Sequence, residues 1–169
     1  MRNLRETLDR WNIPLVPDSP ACPEATSWLL DWARNDSQKN LLLTEAAELD
    51  SNSAPDTAAW VIAQSIMCER IKTFAYQVNG IGLWSEKSTR PDSDVVGKLL
   101  SCDLFWIEEI TAGELTEHQR TLLHAFLIQI KQSQTCTIIS ISTTVEQLCD
   151  WVGDVIAKFL TRNFTVIEV

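Results

Sequence analysis

Short apolar runs alternate with amphipathic segments along most of this chain. Short runs of apolar, β-branched or aromatic residues predict five strands, at 40–44, 72–78, 104–107, 136–141 and 164–169. Between them, apolar residues recur every three or four positions, which is the helical period. This spacing predicts helices over 58–70, 93–100, 116–130 and 145–160, the last as one or two pieces. Capping boxes, Thr116 with Gln119 and Thr144 with Gln147, are predicted at the starts of the last two.

The alternation of strands and helices indicates the fold class. Strands that alternate with helices of roughly ten residues or more imply βαβ units, and hence a parallel sheet with helices on both faces. The run LFWI at 104–107 is wholly apolar, which is typical of a strand buried on both faces. We therefore predict an α/β fold, a three-layer sandwich around a five-stranded parallel sheet.

Residues 1–39 are predicted to form an N-terminal segment ahead of that sheet. Four prolines within positions 14–23 exclude a long helix there. The apolar spacing over 25–33 then predicts one short amphipathic helix. With 169 residues in all, the chain is expected to be one globular domain, whose sheet-forming part spans 40–169.

The charge of the chain bears on its partners. A formal charge of −9 and a pI near 4.6 disfavour direct nucleic-acid binding, because phosphate contacts need clustered Lys and Arg. Acidity fits solubility or a basic protein partner instead. No apolar stretch approaches the roughly 18 residues that span a bilayer, and the charged N-terminus lacks the apolar core of a signal peptide. We expect a cytoplasmic protein without membrane contact.

The five cysteines do not indicate a metal site. They are odd in number, widely spaced and set mostly in apolar segments, and no pair has zinc-ligand spacing. We expect reduced, buried thiols, and neither a metal nor a cofactor.

Polar residues follow three of the predicted strands, where parallel α/β sheets place their ligand sites. Thr44 begins a stretch, 44–57, that contains no Gly, Lys or Arg. The pair Glu108 and Glu109 follows the third strand, and Ser142 follows the fourth. On their own, these acids are equally typical of a solvated pair at a strand end, and a serine there is typical of a cap on the next helix.

This order of elements resembles the ATPase domain of the bacterial replication helicase loaders and their relatives. That group includes DnaC, the IstB transposition helpers and the DnaA and Hda initiator branch of the AAA+ superfamily. The segment 102–148 (CDLFWIEEITAGELTEHQRTLLHAFLIQIKQSQTCTIISISTTVEQL) is similar to the Walker B strand, its following helix and the sensor 1 strand. GDVIAKFL at 153–160 looks like the helix that carries an arginine finger. NLLLTE and AAWVIAQSI flank the place of the Walker A loop.

The resemblance covers 40–169 and has structural implications. It implies a P-loop NTPase-like sheet of strand order 5-1-4-3-2, with the five predicted strands numbered along the chain. It also places Glu108 at the magnesium-associated acidic position and Glu109 at the catalytic one, which orients water. Ser142 takes the sensor position, where the family has Asn, and Phe159 takes the arginine-finger position. No helical lid is expected after the last strand.

The Walker A position departs furthest from the family. The motif G-x-x-x-x-G-K-[ST] needs glycines so that backbone amides can wrap phosphates, and Lys to neutralise them. This chain has four carboxylates there instead, namely Glu45, Glu48, Asp50 and Asp56. Asp56 stands where Lys belongs, beside Thr57 at the hydroxyl position. Carboxylates would repel a triphosphate, so the sequence predicts a degenerate loop that does not bind phosphate in the manner of the family.

Three functional hypotheses follow. In the first, the chain is a non-catalytic relative of this group that binds a helicase, an initiator, a clamp or a subunit of an ATPase ring. In the second, it is a divergent Mg-dependent nucleotidase that uses Glu108 and Glu109. In the third, it is a pseudo-ATPase scaffold in an unrelated assembly. Trp11 and Trp84 lie in the segments poorest in predicted structure and are predicted to be exposed contact residues.

Overall fold

A computed structural model describes residues 2–3, 40–45, 59, 74–85, 87–133 and 135–168 of the chain, and the structural statements below concern these residues. Their strands are β1 (Arg2–Asn3), β2 (Asn40–Thr44), β3 (Ala75–Asn79), β4 (Leu104–Glu108), β5 (Cys136–Ile141) and β6 (Phe164–Glu168). Their helices are α1 (Ser93–Ser101), α2 (Glu117–Gln132), α3 (Val145–Val152) and α4 (Asp154–Asn163).

The described strands form one sheet of order β1-β3-β4-β5-β2-β6. Strands β3, β4, β5, β2 and β6 are parallel, which confirms the predicted five-stranded α/β sheet and its order. Strand β1 adds an antiparallel edge, with Arg2 opposite Gln77. The sequence did not predict β1, because two polar residues carry no strand pattern.

Both faces of the sheet are buried, as a three-layer arrangement requires. On one face Leu42, Phe105 and Ile139 belong to the core that also contains the buried residues of the described helices. Their neighbours Leu41 and Trp106 point to the opposite face and are only 0% and 3% exposed. Burial on both faces explains why these strands read as continuous apolar runs rather than alternating ones.

Two predicted caps set where helices begin. At α2 the predicted capping box is complete: Gln119 N–H donates to Thr116 Oγ1 at 3.3 Å, and Thr116 N–H donates to Gln119 Oε1 at 2.9 Å. At α3 the box is half formed. Gln147 N–H donates to Thr144 Oγ1 at 3.3 Å, but the Gln147 side-chain oxygen accepts from Thr143 Oγ1 at 2.6 Å instead.

Gly153 divides the predicted segment 145–160 into α3 and α4. Its φ of 81° lies in the left-handed region, where a β-carbon would be strained. Gly153 N–H closes α3 by donating to the Cys149 carbonyl at 2.9 Å, and α4 begins at the next residue without a side-chain cap. Within the described part of the chain, no helix is long and apolar enough to cross a membrane.

Some predicted elements fall on residues that the structure does not describe. The short helix expected within 1–39 lies outside the described residues. So does the helix expected over 58–70, except for Ala59, which is helical and fully buried.

Candidate functional site

The carboxyl ends of β2, β5 and β4 lie side by side, because β5 pairs with both of the others. Backbone hydrogen bonds continue past the strands at this edge. Glu109 N–H donates to the Ser140 carbonyl at 2.8 Å, and Glu45 N–H donates to the Thr143 carbonyl at 2.9 Å. The fold therefore brings Glu45, Glu109 and Ser142 to one edge of the sheet, as expected from parallel topology.

Glu109 contacts the sensor segment directly. Its carboxylate oxygen Oε1 accepts a hydrogen bond from the Ser142 backbone N–H at 2.9 Å. Glu109 also has a φ of 53°, an uncommon value for a residue with a β-carbon. Such backbone conformations cost on the order of 1–3 kcal/mol and persist where the surrounding structure holds them. The side chain is thus fixed by its own backbone and by the neighbouring strand end.

Gly80 lets the backbone of Glu109 and Ile110 pack closely against the end of β3. A β-carbon on Gly80 would lie 2.5 Å from the Glu109 carbonyl oxygen and 2.7 Å from Ile110 Cα, so any other residue would collide with backbone. Gly80 N–H also donates to the Glu108 carbonyl at 2.7 Å. A glycine directly after a strand was the one signal of this close approach.

The Glu108 side chain lies on the same face of the sheet as Trp106, and its hydrogen-bond partner is on β3. Gln77, which is 2% exposed, donates from Nε2 to Glu108 Oε2 at 2.9 Å. On the same face, Trp106 Nε1 donates to Ser140 Oγ at 2.8 Å. Glu108 and Glu109 are both half-buried and each accepts a hydrogen bond from protein, so this acidic pair is only partly exposed to solvent. Sequence reasoning missed Gln77, which no motif marks.

Ser142 does not cap the next helix. The N-cap of α3 is Thr144, whose hydroxyl accepts from Gln147 N–H. The capping role considered for Ser142 is therefore wrong, and its backbone N–H serves Glu109 instead.

The stretch 44–57, where the resemblance implies a Walker A loop, is only partly described. Thr44, the last residue of β2, is fully buried, and among the described residues its hydroxyl has no hydrogen-bond partner. Half-buried Glu45 follows it. The remaining predicted residues of the degenerate loop lie outside the described residues: Glu48, Asp50, Asp56 and Thr57. Where the structure describes the chain, no cluster of three His, Cys, Asp or Glu side chains could hold a metal ion.

Trp84 corrects one prediction. Its side chain is 3% exposed, its Nε1 donates to the Ile110 carbonyl at 2.7 Å, and its ring lies 5.4 Å from that of Phe126. The prediction that Trp84 is an exposed contact residue is wrong, because α2 covers it. Trp11 lies outside the described residues.

Phe159, which the resemblance implies for the arginine-finger position, is half-buried. The His124 ring meets it edge-on at 5.9 Å, and Lys131 Nζ lies 5.9 Å from its centroid. Arg162 is exposed on the next turn of α4.

Solved structures share this fold, although no protein-family model and no curated protein matches the chain. The DnaC helicase loader superposes with a TM-score of 0.66 at 13% identity, over 95% of this chain and 98% of that one. DnaI gives 0.62 at 11% identity, over 97% and 93%. AMPPCP-bound DnaA from Aquifex aeolicus gives 0.65 at 10% identity, over 90% of this chain.

The chain spans 47% of the length of that DnaA chain and nearly all of DnaC. At these identities the likeness concerns the fold. The chain therefore has a P-loop NTPase fold of the DnaC and DnaA type, as the resemblance implied.

Proposed function

We propose that this chain is a non-catalytic P-loop ATPase-like protein that acts as a protein-interaction adaptor in DNA replication. One observation carries the proposal. The carboxylate at the catalytic position, Glu109, accepts the Ser142 N–H at 2.9 Å, so one of its oxygens is already committed to protein. A water-orienting carboxylate must instead direct its oxygens at the attacking water beside a bound phosphate.

The sequence of 44–57 supports the same proposal. Phosphoryl transfer depends almost entirely on positioning and on neutralising phosphate charge. This stretch offers neither, since it has no Gly to form an amide nest and no Lys or Arg. A folded core does not depend on the chemistry of its site, so the fold can persist after turnover is lost.

The structural neighbours suggest the kind of partner. Two of them are the DnaC helicase loader and the replication initiator DnaA. We propose that the partner is a DNA-replication protein, such as a replicative helicase, an initiator, a clamp or a subunit of an ATPase ring. We propose that the two proteins interact in the cytoplasm. The chain contacts this partner rather than nucleic acid directly.

A nucleotide assay tests the proposal. Isothermal titration of the intact chain with MgATP is expected to give no binding tighter than about 100 μM, which corresponds to roughly −5.5 kcal/mol. Steady-state assays are expected to give no ATP turnover above a no-protein blank. Turnover that Glu109→Gln abolishes would overturn the proposal.

A second candidate function is a divergent Mg-dependent nucleotidase. The observation in its favour is that Glu108 and Glu109, both half-buried, follow one another at the end of β4 beside Ser142. The same titration separates the two candidates. Binding of MgATP that is tighter than about 100 μM and weakened by Glu108→Gln would favour the nucleotidase.

A direct binding assay tests the partner. Purified helicase, initiator and clamp from the source organism are passed over the immobilised chain, with MgATP absent and then present. The proposal expects one of them to bind with the same affinity in both conditions, because this chain contributes no nucleotide to the contact. Failure of all of them to bind would remove the replication role.

A further inference from the structure

Helices α2 and α4 line an open cavity that the proposed site does not use. Its volume is about 260 Å³, and its lining includes Arg120 and His124 from α2 and Val155 and Ile156 from α4. Val155 is apolar and 64% exposed at the mouth. The cavity is large enough to take one bulky apolar side chain from another molecule.

Beyond the cavity, side chains of α2 and α4 pack against each other and form a continuous surface along the two helices. The His124 ring, in its wall, meets the Phe159 ring of α4 at 5.9 Å, and Lys131 Nζ lies over the same ring. Ile128 stands one turn beyond His124 on α2 and is 36% exposed. We call the surface formed by Val155, His124, Phe159, Ile128 and Lys131 the α2–α4 groove.

The groove is cationic in an acidic chain. The helical stretches 121–132 and 155–163 contain Lys131, Lys158 and Arg162 and not one Asp or Glu, whereas the whole chain carries −9. Within the described residues, none of these three cations forms an ion pair. Lys131 and Arg162 offset the dipoles at the ends of their helices. That role does not account for Lys158 in mid-helix, nor for the apolar residues exposed beside it.

Hydrogen-bond donors without an acceptor lie at the cavity end of the groove. Among the described residues, Arg120 Nε is buried and has no acceptor. The first backbone N–H groups of α4 have no side-chain cap. The carboxylates of Glu117 and Asp154 also line the cavity, in the first turns of α2 and α4. The cavity end thus carries two acids beside Arg120, whereas the helical stretches beyond it carry only cations. The groove therefore suits an occupant whose negative charge is displaced towards the far end.

We propose that the α2–α4 groove binds an acidic amphipathic helix of a protein partner. One apolar side chain of that helix enters the cavity beside Val155, and its carboxylates meet Lys131, Lys158 and Arg162. This mode of recognition uses apolar anchors one or two turns apart on a helix. The inference rests on the proposed function, because it supplies the surface through which the adaptor contacts its partner.

The test uses the intact chain and a defined probe. The probe is a fluorescein-labelled amphipathic peptide of about 18 residues built from Leu, Ala and Glu, and its control has Lys in place of every Glu. We expect saturable binding of the Glu peptide, at least about tenfold weaker binding of the Lys peptide, and a Glu-peptide affinity that falls with added salt. Equal binding of the two peptides would overturn the inference.

Two groove variants have matched controls elsewhere. Val155→Glu places an acid in the first turn of α4, which favours the helix, so lost binding would not reflect unfolding. Its control is Ile81→Glu, at another exposed apolar residue. Arg162→Glu is paired with Arg90→Glu in an exposed loop. Each groove variant is expected to weaken the Glu peptide at least about tenfold, and each control less than about twofold. Groove variants that bind like their controls would overturn the inference.

Other occupants give different results. A single-stranded oligonucleotide that binds more tightly than the peptide, and loses binding in Arg162→Glu, would replace the peptide with nucleic acid. Self-association in sedimentation experiments that Val155→Glu abolishes would make the occupant a second copy. If a replication protein binds wild type and Val155→Glu equally, the groove is not its site, although the proposed function stands. ATP turnover would remove the proposed function and leave the peptide result unaffected.

Discussion

The Glu109 carboxylate and the Ser142 backbone N–H are joined by a 2.9 Å hydrogen bond across the ends of two neighbouring strands. Glu109 holds this position with a left-handed backbone, at a φ of 53°. Glu109 and Ser142, for which the resemblance implies the catalytic and sensor positions, are therefore hydrogen-bonded to each other. Gly80 packs against the same turn from the other side. The contact gives this edge of the sheet a structural role that does not require a ligand.

Removing the Glu109 carboxylate is expected to reduce stability. Glu109→Ala leaves the half-buried Ser142 N–H without its acceptor, and this should lower the free energy of unfolding by about 1–3 kcal/mol. Glu109→Gln keeps an acceptor oxygen but loses the charge, so it should cost less than about 1.5 kcal/mol. Urea unfolding followed by circular dichroism measures both. Equal midpoints for wild type and Glu109→Ala would show that the contact adds nothing to stability.

Two glycines are expected to respond in opposite directions to alanine. Gly80→Ala places a methyl group 2.5 Å from the Glu109 carbonyl oxygen, where only backbone can yield, and should destabilise by about 1–3 kcal/mol or more. Gly97 lies within α1 with nothing within 4 Å of an added β-carbon. Gly97→Ala should therefore stabilise by about 0.5–1 kcal/mol. Thermal unfolding of the pair, measured together, checks the sign of each.

Trp84 is expected to behave as a core residue. Trp84→Phe removes the donor to the buried Ile110 carbonyl and should cost about 1–3 kcal/mol. Trp84→Ala should cost about 3–5 kcal/mol, because it also leaves a cavity against Phe126. Trp151, which is half-buried, provides the control, and Trp151→Phe should cost less than Trp84→Phe. An unchanged free energy of unfolding in Trp84→Phe would contradict the core role. Weaker partner binding by this variant, without loss of stability, would instead support the surface contact role predicted from the sequence.

The sheet and its caps could be predicted because their signals are local. The apolar run at 104–107 indicates a strand buried on both faces. The pair Thr116 and Gln119 indicates a capping box, and its signal lies within four residues. Right-handed crossovers and the resemblance then sufficed for the strand order.

The details of the site could not be predicted, because they depend on pairs that are distant in sequence. Trp84 lies in a polar, glycine-containing loop, and only the placement of α2 buries it. Gln77 and Glu108 are 31 residues apart and meet because β3 and β4 are neighbours. The left-handed turn at Glu109 has no sequence signal, since glutamate is not a residue that favours it.

Cys102 is expected to make the protein less stable at alkaline pH. Burial, reinforced by the neighbouring Asp103 carboxylate, raises the pKa of the Cys102 thiol from 9.0 to about 12. Between these values the unfolded chain releases the thiol proton while the native chain keeps it. The free energy of unfolding therefore falls as pH rises, by at most about 1.4 kcal/mol per pH unit, and the loss is complete above the native pKa.

Urea midpoints of wild type and Cys102→Ala, measured from pH 8 to 11, isolate this contribution. The variant is less stable at pH 8, because it loses buried volume, but its stability should fall less steeply above pH 9. Cys149 provides the comparison. Burial, with the nearby acids Asp150, Glu146 and Asp154, also raises the pKa of its thiol, but this side chain is only half-buried. Iodoacetamide should therefore alkylate Cys149 before Cys102 in the native protein. Parallel pH profiles for wild type and Cys102→Ala, or faster alkylation of Cys102, would contradict the assignment.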